Sequence, residues 1–157
     1  MPLNKDLAAG SKVVTTMAPY KVVPVPDGWS KPYWDGAREH KLMLQRCQKC
    51  GYYNHPPVFL CMSCKDRDAA LAFEQVSGRG TVYAWYIHHD TQVGGFEDRV
   101  PYLVAAIELV EQPRLLLFSN LLNVPFDQVE QGMAVEVVWE KVNEQITIPQ
   151  FQPARRN

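Results

Sequence analysis

Cys47-Gln-Lys-Cys50 and Cys61-Met-Ser-Cys64 contain all four cysteines of the chain, as two C-x-x-C pairs with ten residues between them. Each such turn offers two thiolates on one tight knuckle. Two knuckles supply the sulfur tetrahedron that zinc takes at about 2.3 Å. Gly51 follows Cys50 and lets the first knuckle turn back on itself. Lys65 stands in the equivalent place after Cys64, a departure from the ideal pattern. With thiolate in all four positions no site remains for water, so the expected ion is structural rather than catalytic. Disulfides, or four cysteines merely packed in a core, are the alternatives. The pairing of every cysteine into such turns disfavours both, and zinc is preferred over rubredoxin-type iron.

Beyond the cysteines the chemistry is sparse. There is no Gly-x-Ser-x-Gly elbow, phosphate-binding glycine loop or His-Glu-x-x-His. His88-His89-Asp90, followed by Gly94-Gly95, Asp98 and Arg99, is the most tempting group. Neighbours on a strand face opposite sides, so His88 and His89 do not share a pocket. His40 is isolated, and His55 precedes Pro56-Pro57 between the cysteine pairs, where no fifth ligand is needed. Nothing assembles a nucleophile, a base and oxyanion donors, and no catalytic residue is expected on this chain.

The elements that position these residues read in three stretches. Residues 1–28 carry Pro2, Pro19, Pro24 and Pro26 among short apolar pieces and keep neither a helical nor an alternating period. They are expected to form an extended arm, laid along another surface if ordered. Ser30-Lys31-Pro32 is a helix start, and Tyr33, Trp34, Ala37, Lys41 and Leu44 follow near helical spacing, which predicts a helix from Lys31 to about Leu42. The helix and cysteine segment occupy residues 29–68.

From residue 69 the period shifts toward two. Leu71 to Ser77, Gly80 to His89, Tyr102 to Val110, Arg114 to Asn120, Ala134 to Val142 and Gln145 to Ile148 read as strands, with one helical turn near Phe126 to Gln131. Turn signals separate them at Ser77-Gly78-Arg79-Gly80, Gly94-Gly95, Gln112-Pro113 and Val142-Asn143-Glu144. Short strands without long intervening helices predict a mainly β chain whose body, residues 69–157, is a five-stranded OB-fold barrel.

Composition narrows the function classes. A chain of 157 residues with net charge −1 can bury a core but lacks the strongly basic face of a general nucleic-acid binder. The charge is uneven: Arg38 to Arg67 holds six basic and two acidic residues, whereas Val104 to Gln145 holds seven acidic and two basic. No apolar run reaches the roughly 18 residues of a membrane helix. Met1 to Gly10 has no apolar core of a secretory leader, so a cytoplasmic protein without membrane contact is expected.

Pro32-Tyr-Trp-Asp-Gly-Ala-Arg-Glu-His-Lys-Leu42, Leu44-Gln-Arg-Cys-Gln-Lys-Cys-Gly51, Pro56-Pro57 and Cys61-Met-Ser-Cys64 resemble the rubredoxin-like zinc-ribbon head of the family called domain of unknown function 35. Val76-Ser-Gly-Arg-Gly-Thr-Val-Tyr83, Arg99-Val-Pro-Tyr102 and Gly132-Met-Ala-Val-Glu-Val-Val138 are similar to its OB-fold body. The likeness runs from about Trp29 to Pro153 and leaves residues 1–28 outside it.

The resemblance implies an acyl-CoA-associated subunit of a thiolase-like enzyme. The partner would carry the catalytic residues, and this chain would help form the CoA-ester site and stabilise the complex. It further implies a heteromer, a heterotetramer on the partner's dimer. The reaction class it implies is carbon–carbon cleavage by thiolysis or retro-aldol chemistry, in aromatic or steroid catabolism. Under that reading Arg79, Arg99, Lys49 and Lys65 are the candidates for CoA phosphates, since phosphate favours Arg and Lys. The rival class is a single-stranded nucleic-acid module stacking bases on Tyr83, Trp85 and Tyr86, and the acidic second half opposes it. A rubredoxin-like electron carrier is a third reading, distinguished by colour.

Overall fold

The computed structural model describes residues 12–20, 22–90 and 96–155. The elements run α1 (Lys31–Arg38), β1 (Leu42–Cys47), β2 (Tyr53–Asn54), β3 (Leu71–Val76), β4 (Arg79–His88), β5 (Tyr102–Leu109), β6 (Leu116–Asn120), β7 (Ala134–Lys141) and β8 (Thr147–Pro153). A 3-10 turn at Phe126–Gln128 precedes β7. A three-stranded sheet, β2-β1-β3, carries the cysteine segment, and a five-stranded sheet, β6-β5-β4-β7-β8, forms the barrel. The chain is thus mainly β, a ribbon followed by an OB-fold barrel, as its sequence predicts.

Helix α1 starts at Lys31 with Ser30 at its N-cap, as expected, but its capping bonds and its far end differ from expectation. Asp27 supplies the acceptor: its Oδ1 accepts from the amides of Trp29 at 3.1 Å and Ser30 at 2.7 Å. The Ser30 hydroxyl donates to Asp27 Oδ1 at 2.6 Å and accepts from the Asp27 amide at 3.1 Å, a reciprocal cap. These bonds, the Ser30 hydroxyl first, hold the Asp27 carboxyl below its usual range. Ser30 makes no side-chain cap of its own.

The helix stops at Arg38 rather than Leu42. The Lys41 amide donates to Gly36 O at 2.9 Å and the His40 amide to Ala37 O at 3.0 Å, closing the end with His40 left-handed at φ 58°. That is a Schellman closure with histidine where glycine usually stands, so the sequence carries no stop signal. The His40 ring stacks on Trp139 with centroids 5.5 Å apart. A Cβ on Gly36 would lie 2.2 Å from Met43 Cγ, so only glycine lets the helix end fold this tightly onto β1.

Leu42–Cys47 is consequently a strand. It pairs antiparallel with β3 from Leu42↔Val76 to Cys47↔Leu71, so Leu71–Val76 belongs to the ribbon sheet rather than to the barrel sheet. Leu42 and Leu44 still join the barrel core around Val82, Leu103, Ile107, Val135 and Phe151. One core therefore serves both sheets. Gln112 adds a polar stitch, accepting from the Tyr53 amide at 2.8 Å and donating to the Tyr53 carbonyl at 3.1 Å.

In β5, Leu103, Ala105, Ile107 and Leu109 are buried. The alternation turns Tyr102 and Val104 to the outer face. The barrel nearly closes where the Leu122 amide donates to Phe151 O at 2.8 Å and Leu121 bridges Phe151 in parallel.

Residues 12–20 of the arm lie on this chain's own barrel. Val13 bridges Pro125, and the Asn123 amide donates to Val14 O at 2.8 Å. Met17 is buried, and its amide donates to Glu140 Oε1 at 2.9 Å. Thr16 and Tyr20 also donate to the Glu140 carboxylate. Arm residues 1–11 lie outside the described residues.

Candidate functional site

Each cysteine pair sits on a turn closed by one backbone bond, Gly51 N to Cys47 O at 2.9 Å and Lys65 N to Cys61 O at 3.1 Å. Gly51 and Lys65 are both left-handed, at φ 76° and 51°. The lysine that breaks the sequence pattern thus copies the glycine's backbone. In each turn the amides of the third and fourth residues donate to the first sulfur: Lys49 and Cys50 to Cys47, Ser63 and Cys64 to Cys61.

Buried polar side chains fix the segment between the knuckles. Gln45 donates from Nε2 to Val58 O at 3.0 Å and accepts at Oε1 from the Val58 amide at 2.9 Å. Asn54 Oδ1 accepts from the Met62 amide at 3.0 Å and so places the second knuckle. Arg46 bonds Gly51 O from Nε at 3.0 Å and Glu74 from Nη1 at 2.9 Å, with its guanidinium 5.2 Å from the Tyr53 ring centre.

The four sulfurs lie within 4.8 Å of one another. Cys47 and Cys64 are 3.8 Å apart and Cys50 and Cys61 3.6 Å, far longer than a disulfide bond of about 2.05 Å. A regular tetrahedron with 2.3 Å metal–sulfur bonds has edges of about 3.8 Å, so the spacing fits zinc. Cys47 and Cys61 are buried, and Cys50 and Cys64 lie nearer the surface.

The electrostatics point the same way. Burial alone raises the Cys61 thiol, but the Cys64 and Ser63 amides and the nearby sulfurs bring it down to about 6. Cys64 accepts from the Asp66 amide, which lowers it, yet burial and the three neighbouring sulfurs push it up to about 11. Four thiolates this close do not all ionise without a cation among them.

The phosphate-ligand candidates are not brought together. Lys49 is ion-paired with Asp66, whose carboxylate raises its pKa ahead of the Cys64 and Cys47 thiolates. Lys65 is exposed on the ribbon beside the apolar rim of Phe59 and Met62. Arg79 opens β4, exposed and opposite Glu136 in register, while Arg99 lies beyond the far end of that strand, where His88 pairs Tyr102. Its guanidinium is directed at the arm: Nη1 donates to Met17 O at 3.1 Å and to Ala18 O, Nη2 to Pro19 O at 3.0 Å. Its Nε lies 3.4 Å from Asp98 Oδ1, without the geometry of a hydrogen bond.

Three of the histidines, His40, His55 and His88, pack against aromatic rings. His88 packs against Tyr102 with ring centres 5.0 Å apart. His55 packs against Tyr33 at 5.9 Å, and burial lowers its pKa. Gly94 and Gly95 lie outside the described residues.

Sequence reasoning missed Gln45, Asn54, Gln112, Glu140 and Gln150, whose roles depend on partners distant in the chain. A single signal was available: glutamines and asparagines set inside otherwise apolar strands are buried only when hydrogen-bonded.

Ribbon and barrel together define a zinc-ribbon/OB-fold protein. Residues 34–69 match the model of the ChsH2 rubredoxin-like zinc ribbon domain and residues 73–140 that of the ChsH2 C-terminal OB-fold domain. A DUF35 domain-containing scaffold protein of Methanothermobacter thermautotrophicus is 31% identical over 69% of this chain and 78% of its own length. The 3-oxo-4,17-pregnadiene-20-carboxyl-CoA hydratase alpha subunit of Mycobacterium tuberculosis is 34% identical over 73% of this chain. A chain of the solved Ltp2-ChsH2(DUF35) aldolase superposes with a TM-score of 0.71 and 30% identity, covering 83% of this chain and 98% of that one. This chain belongs to the DUF35 family. It spans little more than a third of the length of the hydratase alpha subunits it matches, 36% and 37%.

Proposed function

We propose that this chain is a zinc-bearing accessory subunit of a heteromeric thiolase-like enzyme that cleaves a carbon–carbon bond in an acyl-CoA ester. One observation carries the choice of reaction. The chain matches 98% of the DUF35 chain of an aldolase, but little more than a third of the hydratase subunits. That coverage favours the aldolase role for the shared portion, and hydration would belong to what the hydratases have in addition. Retro-aldol cleavage is favoured over thiolysis on the same ground, with steroid catabolism as the context.

Cys47, Cys50, Cys61 and Cys64 would hold one zinc ion, which supplies folding energy to the ribbon rather than chemistry. The thiolase-like partner supplies the reacting groups, in a heterotetramer on its dimer, in the cytoplasm. Of the four cations, Arg79 and Lys65 are the stronger CoA-phosphate candidates, because Arg99 holds the arm and Lys49 holds Asp66.

The test is co-expression with the neighbouring thiolase-like gene, sizing, metal analysis, and separate assays for CoA-ester cleavage and hydration. A zinc-loaded complex that cleaves only when both chains are present supports the reading. Hydration by this chain alone, or no association, overturns it.

The nucleic-acid reading has less support. Tyr83, Trp85 and Tyr86 are exposed, but Trp85 and Tyr86 are adjacent on β4 and face opposite sides, so they build no single stacking surface.

A further inference from the structure

A cleft of about 520 Å3 lies between the arm and the outer side of the barrel, a volume in the range of small-molecule sites. The barrel supplies Val104 and Phe118 from β5 and β6 with Ile148 from β8, the helix supplies Trp34, and the arm supplies Met17 and Val23. The cleft therefore exists only where the first part of the chain folds back over the last.

The polar side chains Ser119, Asn120, Gln150 and Tyr20 in its wall are already committed. The Ser119 hydroxyl donates to Gln150 Oε1 at 2.8 Å, which also accepts from the Asn120 amide at 3.0 Å. Gln150 Nε2 donates to the Tyr20 hydroxyl at 2.8 Å and to Glu140 Oε2 at 3.2 Å. Tyr20 in turn donates to Glu140. Asn120 Nδ2 donates to Leu103 O at 3.0 Å. A ligand group that needed a hydrogen bond from Ser119, Asn120, Gln150 or Tyr20 would have to break this network and strand a partner. The walls reward apolar surface instead.

We propose that this cleft seats the hydrocarbon end of an acyl group, with the arm as one wall. That the acyl group arrives as a CoA thioester rests on the accessory-subunit reading; the apolar character of the occupant does not. Phe118, 74% exposed at the rim, gives the entering chain its first contact.

The experiment is calorimetric titration of the full zinc-loaded chain with octanoyl-CoA, octanoate and free CoA, in the wild type and in Phe118→Asp and Ile148→Lys. Phe118 is exposed, so its replacement should leave the melting temperature unchanged. Octanoyl-CoA should bind more tightly than free CoA, and both variants should lose roughly tenfold for octanoyl ligands and nothing for CoA, the equivalent of about two buried methylenes. Equal affinity for octanoyl-CoA and CoA, or variants that bind octanoyl ligands normally, overturns the cleft while leaving the accessory role intact. Octanoate binding that both variants weaken, in a chain that joins no thiolase-like partner, upholds the cleft and removes the accessory role. Variants that weaken only subunit association overturn the proposal and make the face a protein contact.

Discussion

The Nη2 of Arg99 donates to the carbonyl of Pro19 at 3.0 Å, joining positions 80 residues apart. Its Nη1 holds the two carbonyls before that one. The planar fork of a guanidinium suits this triple acceptor, and a lysine ammonium does not.

Arg99→Lys should therefore free the arm without unfolding the barrel. Amide exchange of residues 12–20 should accelerate while that of β5 stays slow, and stability should fall by roughly 1–2 kcal/mol. Exchange rates that rise equally in arm and barrel would contradict a local anchor.

Tyr20 gives the arm a pH signature. Burial, then its bond to the Glu140 carboxylate, raises its phenol above the ordinary 10.0. The folded chain keeps a proton that the unfolded chain releases, so the contribution is complete below pH 10 and is lost as the pH rises above it. Tyr20→Phe should cost about 1 kcal/mol at pH 8. It should also flatten the alkaline loss of stability, though not abolish it, because burial raises Tyr33 as well. Urea unfolding at pH 8, 10 and 11 reads the difference.

Cys61→Ser should remove the metal and loosen more than the ribbon. Leu42 and Leu44 of β1 lie in the barrel core, so a cost on the order of 3 kcal/mol or more is expected, with a barrel that melts earlier. Metal content and thermal unfolding decide it; an unchanged melting temperature would mean that the metal does not hold β1.

Lys65→Gly should stabilise the chain. A non-glycine residue at φ 51° costs about 1–2 kcal/mol, and glycine's extra freedom in the unfolded chain returns part of that, leaving a net gain of about 0.5 kcal/mol. Gly51→Ala should do the reverse, since its Cβ would also sit 3.3 Å from Arg46 Nη2. A Lys65→Gly protein that melts lower would show the lysine to be needed for its side chain.

The cysteine spacing and the period-two stretches made the ribbon and barrel legible, because both signals are local. β1 was not legible. Leu-Met-Leu-Gln-Arg-Cys contains no β-branched residue, and it becomes a strand because β2 and β3 pair with it on either side. The helix end was hidden by His40 in a glycine's conformation. The arm's anchors were hidden by distance: Glu140 and Gln150 look like ordinary polar residues of β7 and β8 until Tyr20 meets them. Arg99 drew notice as a cation, yet its sequence neighbours do not show that its partners are arm carbonyls.

That distance also sets an order of events during synthesis. Domains fold as the chain emerges, earlier residues first. The arm is made well before the residues that anchor it, and it has nothing to rest on until Arg99, Glu140 and Gln150 have all left the ribosome. It is fixed only once the barrel strands are complete, and in the interval its apolar residues are open to chaperones and proteases.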